Sequence, residues 1–167
     1  VYKRQFQHVD SENINYRGIH EFDPESMEFA AGAKLHEIGQ CNSCHFYGEE
    51  FPTGDAPTWA PNLALTKERL NPGWVTEWLK NPGAIMPGTK MPAPYVPDSE
   101  ILSMEGAEND WGKALVAIDG DTITMLDGLR DYLWNIKGPT NIDAQIKAYF
   151  AENGYDFDSE SGDEYED

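Results

Sequence analysis

The chain has 167 residues, 40% of them hydrophobic, which is enough to bury the core of one domain with appendages. Its 30 acidic residues outnumber 12 basic ones, and the net charge of −18 argues against nucleic acid as a partner because phosphate contacts need Lys and Arg. There is no run of 18 apolar residues, so the sequence predicts no membrane span.

The first part of the chain is polar and shows no helical or strand periodicity, so we predict an extended N-terminal arm over residues 1–25. His8 and His20 in this arm are expected to lie in solvent. A turn containing Asp, Pro and Glu comes at the end of the arm. These residues suit the first turn of a helix, and they predict one over about residues 26–38.

The segment Cys41-Asn42-Ser43-Cys44-His45 is a C-x-x-C-H motif, the attachment pattern of a c-type haem. Two thiols add to the porphyrin vinyl groups, and the adjacent imidazole is placed to ligate the iron. A redox dithiol is typical of a βαβ context, which this sequence lacks. A zinc site needs about four N or S ligands, whereas the chain has only these two cysteines. We therefore predict one covalent haem c on Cys41 and Cys44, with His45 as an iron ligand.

Two further segments follow the motif. Four glycines and prolines between residues 46 and 59 argue against regular structure there. Residues 71–80 predict a short helix, because Asn is a good cap and Pro suits the first helical position. Trp74 and Trp78 are four residues apart and share one face of this helix, so we expect either indole N–H to reach a haem propionate.

The segment at residues 81–91 reads N-P-G-A-I-M-P-G-T-K-M. With the C-x-x-C-H motif, it resembles the class I cytochrome c family, in which N-P, four residues and P-G-T-K-M end on the second axial ligand. The resemblance covers residues 26–96 and 122–137. It implies an all-α fold around one haem, with His45 and Met91 as iron ligands. Met/His ligation suits electron transfer, because a thioether favours ferrous iron and fills the sixth position.

The resemblance also implies roles for other side chains. Pro61 matches a proline whose carbonyl accepts a hydrogen bond from the proximal imidazole and fixes the ring, with Pro57 as the alternative. Met86 is the alternative axial ligand, and we expect it instead to pack near the haem edge. The predicted cofactor-binding residues are Cys41, Cys44, His45, Pro61, Leu63, Trp74, Trp78, Leu79 and Met91.

The resemblance implies that the first helix crosses the last family helix at Gly32, against Leu129 and Tyr132. The family often has an aromatic residue where this chain has His36, which we interpret as a packing residue. The last family helix is predicted over residues 122–137, where apolar residues follow a spacing of three and four. These apolar residues are Leu126, Leu129, Leu133 and Ile136.

The remaining segments lie outside the family pattern. Residues 98–121 form an insertion, with a short helix or strand predicted near residues 114–118 and with Met104 as a weak ligand candidate. A further helix is predicted over residues 142–153, followed by an acidic tail that should be disordered by composition. The predicted domains are therefore the arm, a cytochrome c domain over residues 26–137, and a C-terminal extension over residues 138–167.

The predicted function is electron transfer rather than catalysis, as the haem subunit of a membrane-bound respiratory complex. The alternatives are a freely diffusing periplasmic shuttle or a haem enzyme such as a peroxidase, which needs an open sixth position. The expected partners are redox proteins with a basic docking face and subunits of a membrane complex. The charge alone also fits simple solubility.

The resemblance implies a periplasmic or other extracytoplasmic location, because bacteria attach the haem of this family outside the cytoplasm. The chain starts at Val1 and shows no signal peptide, so we expect processing or trimming. Membrane association is expected through a complex or through an anchor removed with a leader.

Overall fold

The computed structural model describes residues 20–154, and this part of the chain is helical. Its nine α-helices are α1 Met27–Ile38, α2 Thr66–Arg69, α3 Pro72–Lys80, α4 Pro82–Ile85, α5 Ser99–Leu102, α6 Ala107–Trp111, α7 Lys113–Ile118, α8 Thr122–Asn135 and α9 Asp143–Glu152. Between residues 20 and 154, β-structure is limited to isolated bridges, so the all-α prediction is confirmed. Most of the N-terminal arm, with His8, and the acidic tail lie outside the described residues.

Side-chain caps explain where the long helices begin. The Ser26 hydroxyl accepts a hydrogen bond from the Phe29 amide at 3.1 Å, and Asp121 does the same for the Ile123 and Thr124 amides. Both starts agree with the sequence prediction. Helix α8 ends two residues earlier than expected, because the backbone of Ile136 is already extended.

Helices α1 and α8 cross at a contact between two glycines. A Cβ atom on Gly32 would overlap the carbonyl of Gly128, and one on Gly128 would overlap the carbonyl of Glu28. Only glycine, which has no Cβ atom, permits two helix backbones to approach this closely. The predicted crossing at Gly32 is therefore confirmed, and the sequence prediction had left Gly128 out.

The core forms around this crossing from residues of α1, α3 and α8, together with two residues of the insertion. Its buried members are Ala31, Leu35, Trp74, Val75, Leu79, Leu102, Leu115, Met125, Leu126, Leu129, Leu133 and Trp134. Three of the four apolar residues predicted for the last family helix are in this set. The 3–4 spacing thus identified the buried face of α8 correctly.

The insertion after the predicted methionine ligand contributes α5, α6 and α7 to the same core. Its apolar run at residues 114–118 is helical, which decides between the two predicted forms, and Leu115 is fully buried. Met104 is 64% exposed and lines a surface depression of about 310 Å³ together with Leu102 and Val116. Met104 therefore belongs to the outer surface of the insertion.

His20 was expected in solvent, and this prediction is wrong. Its Nε2 atom lies 2.6 Å from the carboxylate of Asp131 on α8, and only 16% of its side chain is exposed. The ring also packs against Phe22 and Trp134. Because Asp131 lies 111 positions from His20, no local sequence pattern around the histidine indicates this contact.

His36 packs between two tyrosines, as a packing residue should. Its ring centroid lies 4.7 Å from that of Tyr132 and 5.3 Å from that of Tyr47, and Nε2 makes a hydrogen bond with the Tyr47 hydroxyl. Burial lowers the pKa of His36, and the neighbouring His45 lowers it further.

Within residues 20–154 no helix has both the length and the apolarity needed to cross a bilayer.

The glycine crossing predicts that Gly128→Ala destabilises the protein by about 3 kcal/mol, because α1 and α8 must separate and repack. This loss outweighs the gain of about 1 kcal/mol that Ala brings to a helix interior. Urea unfolding measures the effect.

Gly73→Ala is the matched control, because the nearest atom to its Cβ would be Asn71 Oδ1 at an ordinary 3.5 Å. Equal unfolding midpoints for the two variants would show that the crossing is not tight.

Candidate functional site

The C-x-x-C-H motif folds as a single tight turn directly after α1. Cys41–Ser43 form one turn of 3₁₀-helix, and the His45 amide donates to the Cys41 carbonyl at 2.9 Å. Both thiols are free and partly exposed. Burial raises the pKa of the Cys41 thiol. The turn therefore presents two thiols and one imidazole from five consecutive residues.

A second segment runs parallel to the motif and fixes the imidazole. The Ala60 amide donates to the Cys44 carbonyl at 2.8 Å, and the Leu63 amide donates to the Phe46 carbonyl at 2.9 Å. Between these two bonds, the carbonyl oxygen of Pro61 lies 2.7 Å from Nδ1 of His45. The residue that contacts the imidazole is thus Pro61, which the resemblance implied, and not the alternative Pro57.

The protonation state of His45 suits a metal ligand. Burial lowers its pKa, and the bond to the Pro61 carbonyl opposes this change only in part. At neutral pH the ring is therefore neutral, and donation through Nδ1 leaves the lone pair on Nε2. An imidazole in this tautomer, oriented by its other nitrogen, has the form that ligates metals in proteins.

The Met91 side chain is held by a tryptophan. The indole N–H of Trp78 donates to the Met91 sulfur at 2.8 Å, and the Met91 amide donates to the Thr89 hydroxyl at 3.3 Å. Trp78 also stacks on Trp74, with ring centroids 5.2 Å apart. A thioether sulfur has two lone pairs, so a bond from an indole leaves one available for a metal.

Met86, the alternative ligand, lies at the end of α4. Its amide donates to the Pro82 carbonyl at 2.8 Å, and its carbonyl accepts from the Thr89 amide at 3.1 Å. These bonds form the turn that leads to Met91. Met91 itself packs against the core.

The buried indole of Trp74 supplies a test of whether a haem fits. Its Nε1 atom has no hydrogen-bond partner among residues 20–154, and the same is true of Trp134. A buried donor without a partner costs about 1 to 3 kcal/mol. An acceptor such as a propionate oxygen would remove this cost at Trp74, so an orphan indole, free thiols, a neutral imidazole and a thioether together fit a covalent haem.

Five of the predicted site residues belong to the core or pack against it. Trp74 and Leu79 are core residues, and Leu63, Trp78 and Met91 pack directly against the same core. The C-x-x-C-H turn joins this group through the parallel segment that ends at Leu63.

No role was predicted for Asn62, although its side chain is buried and fully hydrogen-bonded. A local signal existed, because Asn is a strong cap and Asn62 directly precedes the helical turn Leu63–Leu65. Its contacts outside that turn are with Gly48 and Pro139, and no sequence pattern indicates those.

Comparison with known proteins gives one informative match. The chain is 34% identical over 111 residues to cytochrome c oxidase subunit 2 of Bacillus subtilis (strain 168). The match covers 60% of this chain and 30% of that subunit, so the chain spans less than a third of its length. No family model and no solved structure matches the chain. The protein is therefore similar to an oxidase subunit, and its resemblance to class I cytochrome c rests on the two motifs.

Proposed function

We propose that the protein is a mono-haem c-type cytochrome that transfers electrons as a subunit of a respiratory oxidase complex. The observation that carries this proposal is the His45 imidazole, which follows two free thiols on one turn and is oriented by the Pro61 carbonyl. The haem would supply a one-electron Fe(II)/Fe(III) couple at this site.

Each side chain has a definite task in this proposal. Cys41 and Cys44 would hold the porphyrin through thioether bonds, and His45 would ligate the iron through Nε2. Met91 would supply the second axial ligand. Trp78 holds the Met91 sulfur in place, and the Trp74 indole N–H is available for a propionate.

A filled sixth position favours electron transfer over haem catalysis. A peroxidase needs an open or easily displaced ligand, whereas Met91 is held by Trp78 and by its packing against the core. The proposed protein therefore performs no bond chemistry of its own and serves an oxidoreductase complex.

The similarity to an oxidase subunit supports membership of a complex over a freely diffusing shuttle. The insertion and α9 add surface that a small shuttle does not need. We place the protein outside the cytoplasm, at the membrane through its complex or through an anchor. Its net charge of −18 suits a basic docking face on the redox partner.

The covalent haem is tested by acid–acetone extraction of the protein matured in a bacterial periplasm. Haem should stay on the wild-type protein and be released from the Cys41→Ala/Cys44→Ala variant, because two thioether bonds resist extraction. Haem extracted from the wild type would refute the proposed function.

The same preparation tests the axial ligand. Met91→Ala should abolish the weak sulfur-to-iron absorption band of the ferric protein, while Met86→Ala, the matched control, keeps it. The reverse outcome would assign the iron to Met86.

The Trp78–Met91 bond predicts that Trp78→Phe lowers the midpoint potential. The indole N–H withdraws charge from the sulfur and disfavours ferric iron, so its loss favours the oxidised state. A hydrogen bond of about 0.5 to 1 kcal/mol corresponds to about 20 to 40 mV, since 59 mV is tenfold for one electron. Redox titration measures the shift.

Trp111→Phe, in the insertion, is the control for Trp78→Phe and should leave the potential unchanged. An unchanged or raised potential in Trp78→Phe would exclude this role for the indole.

The charge predicts that association with the redox partner slows as salt rises, because the Debye length falls from about 10 Å at 0.1 M to about 3 Å at 1 M. Deleting residues 155–167, which hold seven acids and no base, should reduce the salt dependence. Stopped-flow association rates at several ionic strengths measure both effects. An association rate that does not change with ionic strength in either protein would show that the charge serves solubility. Purification of the protein only as a soluble monomer would favour the freely diffusing shuttle.

A further inference from the structure

We propose that Asn62 and helix α9 form a clamp that positions the proximal ligand His45 through the Pro61 carbonyl. The inference rests on the proposed function and gives a role to the C-terminal extension, which lies outside the resemblance to class I cytochrome c. Asn62 and the aromatic residues of α9 are positioning residues in this scheme, since none of them contacts His45.

Asn62 is the centre of the clamp. Its side-chain carbonyl accepts from the Gly48 amide at 3.0 Å and from the Ala64 amide at 3.1 Å. Its side-chain NH₂ donates to the Gly48 carbonyl at 2.9 Å and to the Pro139 carbonyl at 3.4 Å. The residue is 8% exposed, and both donors and both acceptor sites of the amide are used.

These bonds fix the direction of the Pro61 carbonyl. That carbonyl belongs to the peptide unit that joins Pro61 to Asn62, and a planar peptide turns as one body. A buried side chain with four bonds holds one end of this unit. The oxygen that receives the His45 N–H therefore has a defined place, and so does the imidazole ring.

The segment after α8 touches the loop after the haem motif backbone to backbone. A Cβ atom on Gly138 would lie 2.7 Å from the Cα of Gly48, and one on Gly48 would lie 2.9 Å from the Cα of Gly138. Gly48 has a φ of 62°, which favours glycine in any case. This contact brings the Pro139 carbonyl within reach of Asn62.

Helix α9 closes the clamp with aromatic side chains. Tyr149 stacks on Phe51 with centroids 5.3 Å apart and lies 5.0 Å from Trp59, and Phe150 lies 5.6 Å from Trp59. Phe51 and Trp59 also pack on Phe46, the residue after His45. The aromatic face of α9 thus covers the loop between His45 and Pro61.

The clamp predicts an electronic effect that packing alone does not. A hydrogen bond on Nδ1 makes the imidazole a stronger donor and stabilises ferric iron. Weakening that bond should therefore raise the midpoint potential. The expected change in the ferrous-to-ferric ratio at fixed potential is about three- to tenfold, or about 28 to 59 mV.

The experiment compares Asn62→Ala and Tyr149→Ala in the full-length haem protein. Each variant should raise the midpoint potential and speed exchange of the His45 Nδ1 proton, followed by NMR of the haem protein. Tyr95→Ala is the matched control, because Tyr95 is a 55% exposed tyrosine whose ring contacts that of Trp111 in the insertion at a tilt. The control should leave both values unchanged.

The outcomes separate the clamp from the proposed function. Absence of covalent haem in the wild type refutes the function itself. Haem bound in every variant, with unchanged potential and proton exchange, overturns the clamp even if the urea midpoint falls. If Asn62→Ala does not acquire haem, the Tyr149→Ala variant alone tests the clamp. Weaker binding of the redox partner by Tyr149→Ala, at an unchanged midpoint potential, would overturn the clamp and make α9 a docking element.

Discussion

The fold depends on the direct contact of two helix backbones at Gly32 and Gly128. Because α1 and α8 touch without side chains between them, their neighbouring leucines meet in one layer, and Leu35, Leu126 and Leu129 are almost fully buried. The C-x-x-C-H motif begins three residues after α1 ends, so the position of α1 also sets the position of the thiols. The crossing in the first half of α1 thus sets the direction in which the helix leads to the site.

The sequence predicted the helices well where a cap and a stop were both local. Ser26 and Asp121 each accept bonds from amides two or three residues ahead, and such contacts can be predicted from neighbours alone. The face of α8 was equally clear, since its leucines repeat every three or four residues. The bond between His45 and Pro61 was expected only through the resemblance, because no local pattern points from one to the other.

Contacts between distant segments explain what the sequence did not predict. His20 binds Asp131 across the chain, and Asn62 binds Pro139 in the same manner. Neither pair is marked by spacing, charge pattern or motif. Gly128 was overlooked for a related reason, because a glycine inside a helix is a weak signal until its partner helix is known.

The pairing of α1 with α8 has a consequence for the order in which the protein is made. His20 and Asp131 are 111 positions apart, and both halves of the core must be present before either is covered. A chain that emerges from its N-terminus exposes the Cys41 and Cys44 thiols long before α8 exists to complete the fold. During synthesis the motif is therefore accessible before α8 arrives and the core around it can close.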